Sequence, residues 1–302
     1  MKFSIVTPTS NSGLFLSEAI QSVVSQKGDF TIEYIVVDNC SQDNTADIVK
    51  SYQQMILNKD YRIQCNGVEI KLYQGKDSGM YDAVNKGFSK ATGDIYAWIN
   101  SDDLYLPGAF GMIARSFESH PEIKWLKGIT SYINEFSALY ETGQCYLYDQ
   151  NWLRNGVYGR EAYFVQQDSV FWRADLWKTV GGIDTRFKRA GDYSLWVNFS
   201  QYAVLYSLKA YISCFRKVKG QLSQDVASYE KECDMISGGR KFNFLKRYTI
   251  RIFFWLADNV HLPFFWKLIY RTIFRKQKLQ LLDVANGEKP VLKTASYYVA
   301  DR

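Results

Sequence analysis

The fold is decided by the opening stretch Phe3-Ser4-Ile5-Val6-Thr7, an apolar strand pattern that runs into the polar loop 8–13. Residues 14–26 follow with apolar side chains at helical spacing, and Tyr34-Ile35-Val36-Val37 is a second, nearly continuous apolar strand. A continuous apolar strand is typical of a sheet that is covered by helices on both faces. The stretch therefore predicts a β-α-β unit with parallel strands.

The same alternation continues to residue 119 and predicts an α/β fold. Helices are predicted over 45–57, 80–91 and 107–119, and strands over 69–73 and 95–99. This order indicates a mostly parallel sheet flanked by helices, whose ligands bind at the carboxyl ends of the strands. We therefore expect one crevice to collect the polar clusters that follow the strands. These clusters lie at 7–11, 38–43, 77–79 and 102–103.

The composition of the 302 residues excludes several classes of protein. Apolar residues make up 47% and aromatic residues 16%, which is incompatible with a disordered or low-complexity chain. The longest uninterrupted apolar run near the C-terminus, 252–257, is far shorter than the roughly 20 residues of a membrane-spanning helix. Met1-Lys2-Phe3 leads straight into a strand, so the sequence predicts neither a signal peptide nor a membrane span.

The cysteines and histidines lack the spacing of a metal site. The five cysteines are widely spaced with no C-x-x-C pair, which predicts reduced thiols in a cytosolic protein. His120 and His261 do not form an H-E-x-x-H pair, and Pro121 after His120 disfavours a Ser-His-Asp triad. Acid–base chemistry therefore falls mainly to carboxylates.

Positive charge is concentrated near the C-terminus. Residues 240–278 contain ten Lys or Arg and one acid, so this segment carries +9 and the rest of the chain −3, within a net charge of +6. The main domain is therefore not predicted to bind nucleic acid.

The basic segment has the pattern of amphipathic helices. Before Pro263 apolar and basic side chains fall on opposite arcs, and after it basic residues recur every four positions beside apolar ones. Apolar faces flanked by Lys and Arg are typical of helices that lie on an anionic membrane, and we favour that interpretation. Packing on the main domain or on a second subunit is the competing interpretation. The apolar positions are Phe242, Leu245, Ile252, Phe253, Leu256, Phe264, Leu268, Ile269 and Ile273, and the basic positions are Arg240, Arg247, Arg251, Lys267, Arg271 and Arg275.

Three acidic residues follow predicted strands and are candidates for ligand binding. Asp102 and Asp103 are adjacent, and Mg²⁺ or Mn²⁺ is commonly held by one or two carboxylates together with substrate phosphates. A solvated turn explains the pair equally well. Asp38 has no capping role, because Asp43 or Asn44 can cap the next helix, so a ligand N–H or sugar hydroxyl is favoured as its partner.

An ordered set of motifs between residues 3 and 225 is more specific than any of these residues alone. Together the motifs resemble the family 2 glycosyltransferases of GT-A fold, especially members that build bacterial surface polysaccharides. The motifs are Ser4-Ile5-Val6-Thr7-Pro8-Thr9, the strand ending at Asp38 with Asp43-Asn44-Thr45, residues 76–87, 91–94, Asn100-Ser101-Asp102-Asp103, Gly181-Gly182-Ile183-Asp184, and residues 190–196.

The resemblance implies roles for individual residues. Asp192 aligns with the family's catalytic base, which usually follows an acidic residue; here Gly191 takes that position. Capping of a helix that begins at Tyr193 is the structural alternative for Asp192. The implied donor contacts are Thr7, Pro8, Thr9 and Asp38 for the base, Asp77 and Gly79 for base and ribose, Lys86 for the phosphates, Asp102 for the ribose, and Asp103 for a Mn²⁺ or Mg²⁺ ion on the diphosphate.

The resemblance also implies a reaction. It implies an inverting transferase that moves a sugar from a nucleoside-diphosphate donor, a UDP-sugar by preference, to a hydroxyl of a saccharide or lipid-linked saccharide in polysaccharide biosynthesis. One carboxylate base suffices, because the leaving diphosphate needs no general acid. A sugar-nucleotide pyrophosphorylase is an alternative, although 8–13 is a poor glycine-rich loop, and a non-catalytic nucleotide-sugar-binding scaffold is another.

The chain is predicted to have three parts. Residues 1–106 form the nucleotide-sugar-binding half and 107–235 the acceptor-binding half of one GT-A domain. Residues 236–302, after a boundary near Gly238-Gly239, form an amphipathic helical tail. We expect a cytoplasmic enzyme that is peripheral on the inner face of the cell membrane, with a homodimer left open.

Two further groups of residues have both a ligand-binding and a structural interpretation. The resemblance implies that residues 166–169 lie near the donor and acceptor sugars, with a polar turn at a strand end as the structural alternative, and that the loop 220–223 closes over the diphosphate. Trp152, Tyr158 and Trp196 could stack on sugar rings, although most aromatic residues in such a chain simply pack.

Overall fold

The computed structural model describes residues 1–159, 162–238, 244–260, 263–274, 279–284 and 289–300. Gly239, Arg240, Phe242, His261 and Arg275 lie outside these residues, as do the side chains of Phe264 and Ile273. The strands are β1 Lys2–Thr9, β2 Lys27–Asp38, β3 Gln64–Gln74, β4 Ile95–Trp98, β5 Leu104–Tyr105, β6 Trp125–Ile133, β7 Leu139–Thr142, β8 Val170–Arg173, β9 Leu205–Arg216, β10 Leu279–Asp283 and β11 Val291–Ala295. The helices are α1 Leu16–Val24, α2 Thr45–Leu57, α3 Met80–Phe88, α4 Ala109–Ser119, α5 Gln150–Arg154, α6 Ala174–Val180, α7 Gly191–Tyr202, α8 Val226–Ser237, α9 Phe244–Asn259 and α10 Pro263–Ile273.

One large sheet forms the centre of the molecule. Its strand order is β11-β10-β9-β6-β8-β4-β1-β2-β3, with β5 paired to β9 and β7 to β6. The first four long strands are parallel, as the sequence predicted, whereas β8 is antiparallel to both β4 and β6. The predicted α/β fold, with a large sheet flanked by helices, is confirmed, and the sheet is mixed beyond β4.

Helices cover both faces of the sheet. Along β2, Tyr34 and Val36 belong to a core with α1 and α4, whereas Ile35 and Val37 belong to a second core with α3 and α7. Successive strand residues point to opposite faces, so the continuous apolar run of β2 follows from burial on both sides.

The first strand is longer than its sequence pattern indicates. Residues 8 and 9, expected in a loop, continue β1, since Pro8 pairs with Val37 and Thr9 with Asp38. The missing N–H of proline is tolerated here because β4 pairs with β1 only as far as Val6, so Pro8 lies on a free edge of the strand. The polar loop therefore begins at residue 10.

The C-terminal segment contains strands as well as the expected helices. After α10, strand β10 pairs in parallel with β9 through Leu281 and Leu282, and β11 pairs antiparallel with β10. Buried aromatic side chains from α9 and α10, including Phe253 and Tyr270, join the same core as α3 and α7. The segment is thus integrated with the sheet through both its helices and its strands.

Within the part of the chain that the structure describes, no helix is long and apolar enough to cross a membrane. All five cysteines are among the described residues and carry free thiols.

Candidate active site

Asp38 ends β2 at the carboxyl edge of the sheet, and its carboxylate is fully buried. It accepts hydrogen bonds from Thr9 Oγ1 at 3.1 Å, from Ser41 N at 3.1 Å and from Gln74 Nε2 at 3.1 Å, and it is also bonded to the Ser41 hydroxyl. Buried carboxylates require such donors. The carboxylate is therefore held in one orientation by neighbours on β1, β3 and the following loop.

The residues predicted to contact the base on β1 differ in what their side chains do. The Thr7 hydroxyl is buried and lies 2.9 Å from the Tyr34 hydroxyl, so its side chain serves the core. Pro8 is also buried, whereas Thr9 faces Asp38. Of these three residues, Thr9 is the one joined by a hydrogen bond to a predicted site carboxylate.

The loop after β3 is fixed by its own polar groups. Asp77 N donates to Asn39 Oδ1 at 3.0 Å, and Asp77 Oδ1 accepts from Gly79 N at 2.9 Å. Gly79 has φ 125°, a conformation that other residues rarely adopt. The Lys86 ammonium, predicted near phosphates, bonds to Asp82 Oδ2 and to the carbonyl of residue 76, both at 2.9 Å.

Arg216, at the end of β9, holds the acidic pair in place. Asp103 Oδ1 accepts from Arg216 N at 2.9 Å, and the carbonyl of Asp102 accepts from Arg216 Nε at 2.7 Å. The guanidinium is fully buried and also pairs with Glu18 at 2.9 Å. Sequence reasoning missed Arg216, and its signal was a basic residue, followed by Lys217, at the end of the mostly apolar run 211–215.

The acidic pair has the properties expected of a divalent cation site. The Asp103 carboxyl is fully buried, and burial together with the charges of Asp102 and Asp168 raises its pKa well above the usual range. In the same loop, Asn100 Oδ1 is buried and has no hydrogen-bond partner among the residues that the structure describes. A cation would relieve both the repulsion and the unpaired oxygen, so these oxygen donors fit Mg²⁺ or Mn²⁺.

The chain alone does not complete a coordination shell. Among the described residues, no group of three or more His, Cys, Asp or Glu side chains is arranged to hold a metal ion. Ions of this kind are often bound by one or two carboxylates plus phosphate oxygens and water. Asp103, with Asp102 beside it, is therefore the part of the site that the protein would supply.

Residues 166–169 serve mainly the interior. The Asp168 carboxylate is buried and bonds to the Ser213 hydroxyl, while Gln167 Nε2 donates to the carbonyl of Trp98. Burial raises the pKa of Asp168 and lowers the pKa of the buried Lys127 ammonium to about 8. These contacts favour the structural interpretation of the segment.

Asp192 lies in the first turn of α7. The helix is preceded by Ala190 as its capping residue, so Asp192 is not the cap. Its Oδ1 accepts from Tyr193 N at 2.8 Å, and the Tyr81 hydroxyl lies 3.4 Å away while donating to the carbonyl of Arg189 at 2.8 Å. Burial raises the pKa of Asp192 to about 6, although these donors favour its charged form. Such a pKa suits a general base near neutral pH.

Gly191 is required by the packing around Asp192. A Cβ at this position would lie 2.6 Å from ring atoms of Tyr81. The acidic residue that the resembled family places before its base is therefore excluded here as long as Tyr81 covers the start of α7. The departure noted in the sequence has this steric reason.

The loops that carry these residues are joined in a closed ring of hydrogen bonds. Each of these loops donates to or accepts from the next, so the loops that carry Asp77 and Asp102 and those that follow β1 and β2 are connected. The contacts are Asn11 N to Ser41 Oγ at 2.7 Å, Asp77 N to Asn39 Oδ1 at 3.0 Å, Lys188 Nζ to the Ser78 carbonyl at 3.1 Å, Arg189 Nε to Asp225 Oδ2 at 3.4 Å, Gln221 Nε2 to Asp102 Oδ2 at 2.8 Å, and Ser101 Oγ to Ser12 Oγ at 2.9 Å.

The aromatic residues proposed as sugar platforms are buried. Trp152, Tyr158 and Trp196 are each at most 3% exposed and belong to the core beneath α7. Tyr158 and Trp196 line a narrow cleft together with Tyr229, and Phe164 is exposed at its edge. Packing therefore explains these three residues, and Phe164 is the aromatic side chain accessible beside them.

The acidic residues thus lie at the end of β2 and after β4, at the carboxyl ends of parallel strands, and Asp192 lies in the first turn of α7. The chain belongs to glycosyl transferase family 2, because the model of that family matches residues 4–169. The fold resembles residues 1–349 of S. aureus TarS in complex with UDP-GlcNAc, with a TM-score of 0.59 and 17% identity over 83% of this chain and 70% of that TarS fragment. These findings confirm the predicted family and the GT-A fold.

Two further similarities extend this comparison. The mannosyltransferase PcManGT from Pyrobaculum calidifontis, in complex with GDP-Man and Mn²⁺, matches with a TM-score of 0.53 and 14% identity, covering 90% of this chain and 79% of PcManGT. The putative teichuronic acid biosynthesis glycosyltransferase TuaG of Bacillus subtilis is 33% identical over 102 residues, 34% of this chain and 36% of TuaG. The chain spans 34% of one curated relative and 76% of another.

Proposed function

We propose that this protein is an inverting, metal-dependent glycosyltransferase that transfers a sugar from a nucleoside-diphosphate donor, most favourably a UDP-sugar, to a hydroxyl of a saccharide or lipid-linked saccharide. The observation that carries the proposal is a pair of carboxylates with different environments, one in the loop after β4 and one in the first turn of α7. Asp103 is buried beside Asp102, and Asp192 has a pKa of about 6 on α7. The family membership supports the reaction class, and TarS and TuaG support a UDP-sugar and a cell-surface polymer.

The proposed reaction assigns one proton transfer to the chain. Asp192 takes the proton of the acceptor hydroxyl while that oxygen bonds to the anomeric carbon and the bond from this carbon to the diphosphate oxygen breaks. A positioned base contributes about 10²- to 10⁴-fold. A bound Mg²⁺ or Mn²⁺ would neutralise charge on the leaving diphosphate. Asp103 would hold that ion, and the buried Arg216 keeps the carboxylate in place.

The other predicted contacts remain part of the proposal. We assign residues 1–106 to the donor and 107–235 to the acceptor, and residues 236–302 form the tail. The fixed orientation of the Asp38 carboxylate and of the residue 77–79 loop supports their assignment to base and ribose. The proposed donor contacts are Thr7, Pro8, Thr9, Asp38, Asp77, Gly79, Lys86 and Asp102.

A donor screen tests this function. We expect a UDP-sugar with Mn²⁺ to raise the melting temperature, because a ligand at 100 times its Kd stabilises by about 2.7 kcal/mol, or about 5 °C for a chain of this size. GDP- and dTDP-sugars, each with Mn²⁺ or with EDTA, are the controls. Nucleoside diphosphate released only when a saccharide acceptor is added identifies transfer. Formation of a nucleotide-sugar from a nucleoside triphosphate would identify a pyrophosphorylase instead, and binding without turnover a scaffold.

The tail supports a location at the inner face of the cell membrane. On α9, Phe253 and Phe254 are buried in the core, whereas Leu245, Tyr248, Ile252 and Trp255 are 40–69% exposed. The single apolar arc read from the sequence is thus divided, because Phe253 faces the domain while Leu245 and Ile252 face outward. Packing on the domain, the competing interpretation, therefore accounts only for the side of α9 that carries Phe253 and Phe254.

The exposed side of the tail combines apolar and basic groups. Phe265 and Leu268 on α10 are 48% and 58% exposed, and Arg251 and Arg271 are exposed on the two helices. Two copies joined through this surface would bring their basic segments together, whereas anionic lipid headgroups complement the charge. We therefore propose an anionic membrane as its partner, and not a second subunit.

Vesicle flotation tests the membrane proposal. The double variant Trp255→Glu, Leu268→Glu is expected to lose binding to phosphatidylglycerol-containing vesicles by at least about tenfold, since each apolar side chain contributes about 1.5–3 kcal/mol when fully buried. Leu57→Glu changes a residue on α2 that is 76% exposed and serves as the matched control. Equal flotation of all three proteins, or a dimer that the double variant dissociates, would contradict the proposal.

A further inference from the structure

Helix α8 brings a carboxylate to the loop that immediately precedes Asp192. Glu232 accepts hydrogen bonds from the backbone N–H groups of Lys188 at 2.9 Å, Arg189 at 2.9 Å and Ala190 at 2.8 Å. Consecutive amides that converge on one anion form an anion-binding nest. Here the protein's own side chain fills the nest.

The same loop is also held from its other side. The Tyr81 hydroxyl donates to the carbonyl of Arg189 at 2.8 Å, and Arg189 Nε lies 3.4 Å from Asp225 Oδ2. The amides of residues 188–190 therefore point to α8 while a carbonyl points to α3. Because Asp192 follows two residues after Ala190, these contacts set the direction in which its side chain leaves α7.

Glu232 also acts on Asp192 through its charge. Its negative charge adds to the effect of burial in raising the pKa of Asp192. Among the described residues, the titratable and charged groups near Asp192 include Tyr81 on α3, Tyr193 on α7, Tyr229 and Glu232 on α8, and Arg189 in the preceding loop. Of these groups, Glu232 is the carboxylate whose charge raises the pKa of Asp192.

We propose that Glu232 is a positioning residue for Asp192, in that its carboxylate fixes residues 188–190 so that the base faces the acceptor hydroxyl. The proposal rests on the proposed function of Asp192 as the base. The proposal also explains how a second acidic residue, which is distant in sequence and lies on α8, can support Asp192. The position before Asp192 has no space for a side chain, since a Cβ on Gly191 would lie 2.6 Å from ring atoms of Tyr81.

Steady-state kinetics of Glu232→Gln test the role. The amide offers one acceptor oxygen in place of two and no charge, so the loop loses part of its attachment. We expect kcat to fall about 10- to 100-fold, the effect of a small misplacement of a reacting group, while the donor KM changes less than about twofold. The acidic limb of the pH profile of kcat/KM moves to lower pH. Glu230→Gln removes the same charge two residues away on α8 and is expected to leave both quantities unchanged.

A measurement without turnover separates this proposal from the proposed function. The difference in melting temperature between a protein and its Asp192→Asn counterpart, followed from pH 4 to 8, reports the pKa of Asp192 in the folded state. We expect the midpoint of this curve to lie lower in Glu232→Gln than in the wild type and Glu230→Gln. An unmoved midpoint together with equal kcat in the two variants would overturn the positioning role. A shifted midpoint in a protein that transfers no sugar would refute the base assignment and leave the contact between Glu232 and the Asp192 loop established.

Discussion

Asp192→Asn is expected to lower kcat by about 10²- to 10⁴-fold, the usual contribution of a positioned general base, while the Kd of the donor stays within about twofold. The asparagine side chain has the same shape and can still accept from Tyr193 N, but it cannot take a proton. In the wild type, kcat/KM should fall about tenfold per pH unit below the pKa of about 6, since only the ionised carboxylate acts as a base. Single-turnover transfer and a pH profile measure both effects.

The same variant should be more stable than the wild type above pH 6. Burial raises the pKa of Asp192 from its ordinary value, so the stability that the neutral carboxyl provides is complete below the unfolded pKa and is lost as the pH rises through about 6. Asparagine stays neutral throughout. The difference at pH 8 has an upper bound of about 3 kcal/mol, and we expect about 1–2 kcal/mol because the group keeps some solvent contact.

A stabilised but inactive Asp192→Asn protein would separate catalysis from folding. Tyr193→Phe, which keeps the backbone N–H that binds Asp192, is a control for changes at the start of α7. Full transfer activity in Asp192→Asn would reject the base assignment. Lower stability at pH 8 would contradict the effect assigned to burial.

Asp103→Asn is expected to abolish metal-dependent binding of UDP or GDP, by at least about 100-fold in calorimetry, because an amide oxygen is a far weaker ligand of a hard cation than a carboxylate. The amide oxygen can still accept from Arg216 N, so the turn that carries Asp102 should persist. Removing a buried charge that neighbouring acids repel should leave the melting temperature unchanged or higher. Loss of binding would then not be a loss of folding.

Two comparisons sharpen this experiment. Titrations with Mn²⁺ and with EDTA distinguish metal-dependent binding from direct contacts with the nucleotide, and only the former should disappear. Asp47→Asn removes an exposed carboxylate on α2 and should bind nucleotide as the wild type does. Unchanged Mn²⁺-dependent affinity in Asp103→Asn would place the ion elsewhere or show that none is needed.

Regular elements were predictable from the sequence where one local pattern decides them. The helix expected over 45–57 is Thr45–Leu57, since polar residues mark its start and its apolar spacing is clear. The end of β1 was not predictable in this way, because pairing of Pro8 and Thr9 with β2 extends the strand past a turn-forming residue. Strands β10 and β11 were not predicted from the sequence. They form because β10 pairs with the edge strand β9, which lies far earlier in the chain.

At the candidate site, too, the sequence predicted residues that follow a local pattern and not residues whose partners are distant in the chain. The acids that follow strands were found because each stands at the end of an apolar run. Arg216, which bonds to the acidic pair, and Glu232, which binds the loop before Asp192, were not assigned, since their partners are more than 40 residues away. Glu33 on β2 is another buried carboxylate whose partners are distant in the sequence. Burial alone would raise its pKa, but hydrogen bonds from Lys71 and Ser4 lower it to about 2.

The pairing of β10 with β9 has a practical consequence for making shortened forms of the protein. Removing the residues after 235 to obtain a minimal enzyme would expose the edge of β9 that pairs with β10. It would also expose aromatic side chains that Phe253 and Tyr270 cover. Exposed strand edges of this kind pair with other chains and cause aggregation. Recombinant forms of the protein should therefore retain the residues after 235, whatever they bind.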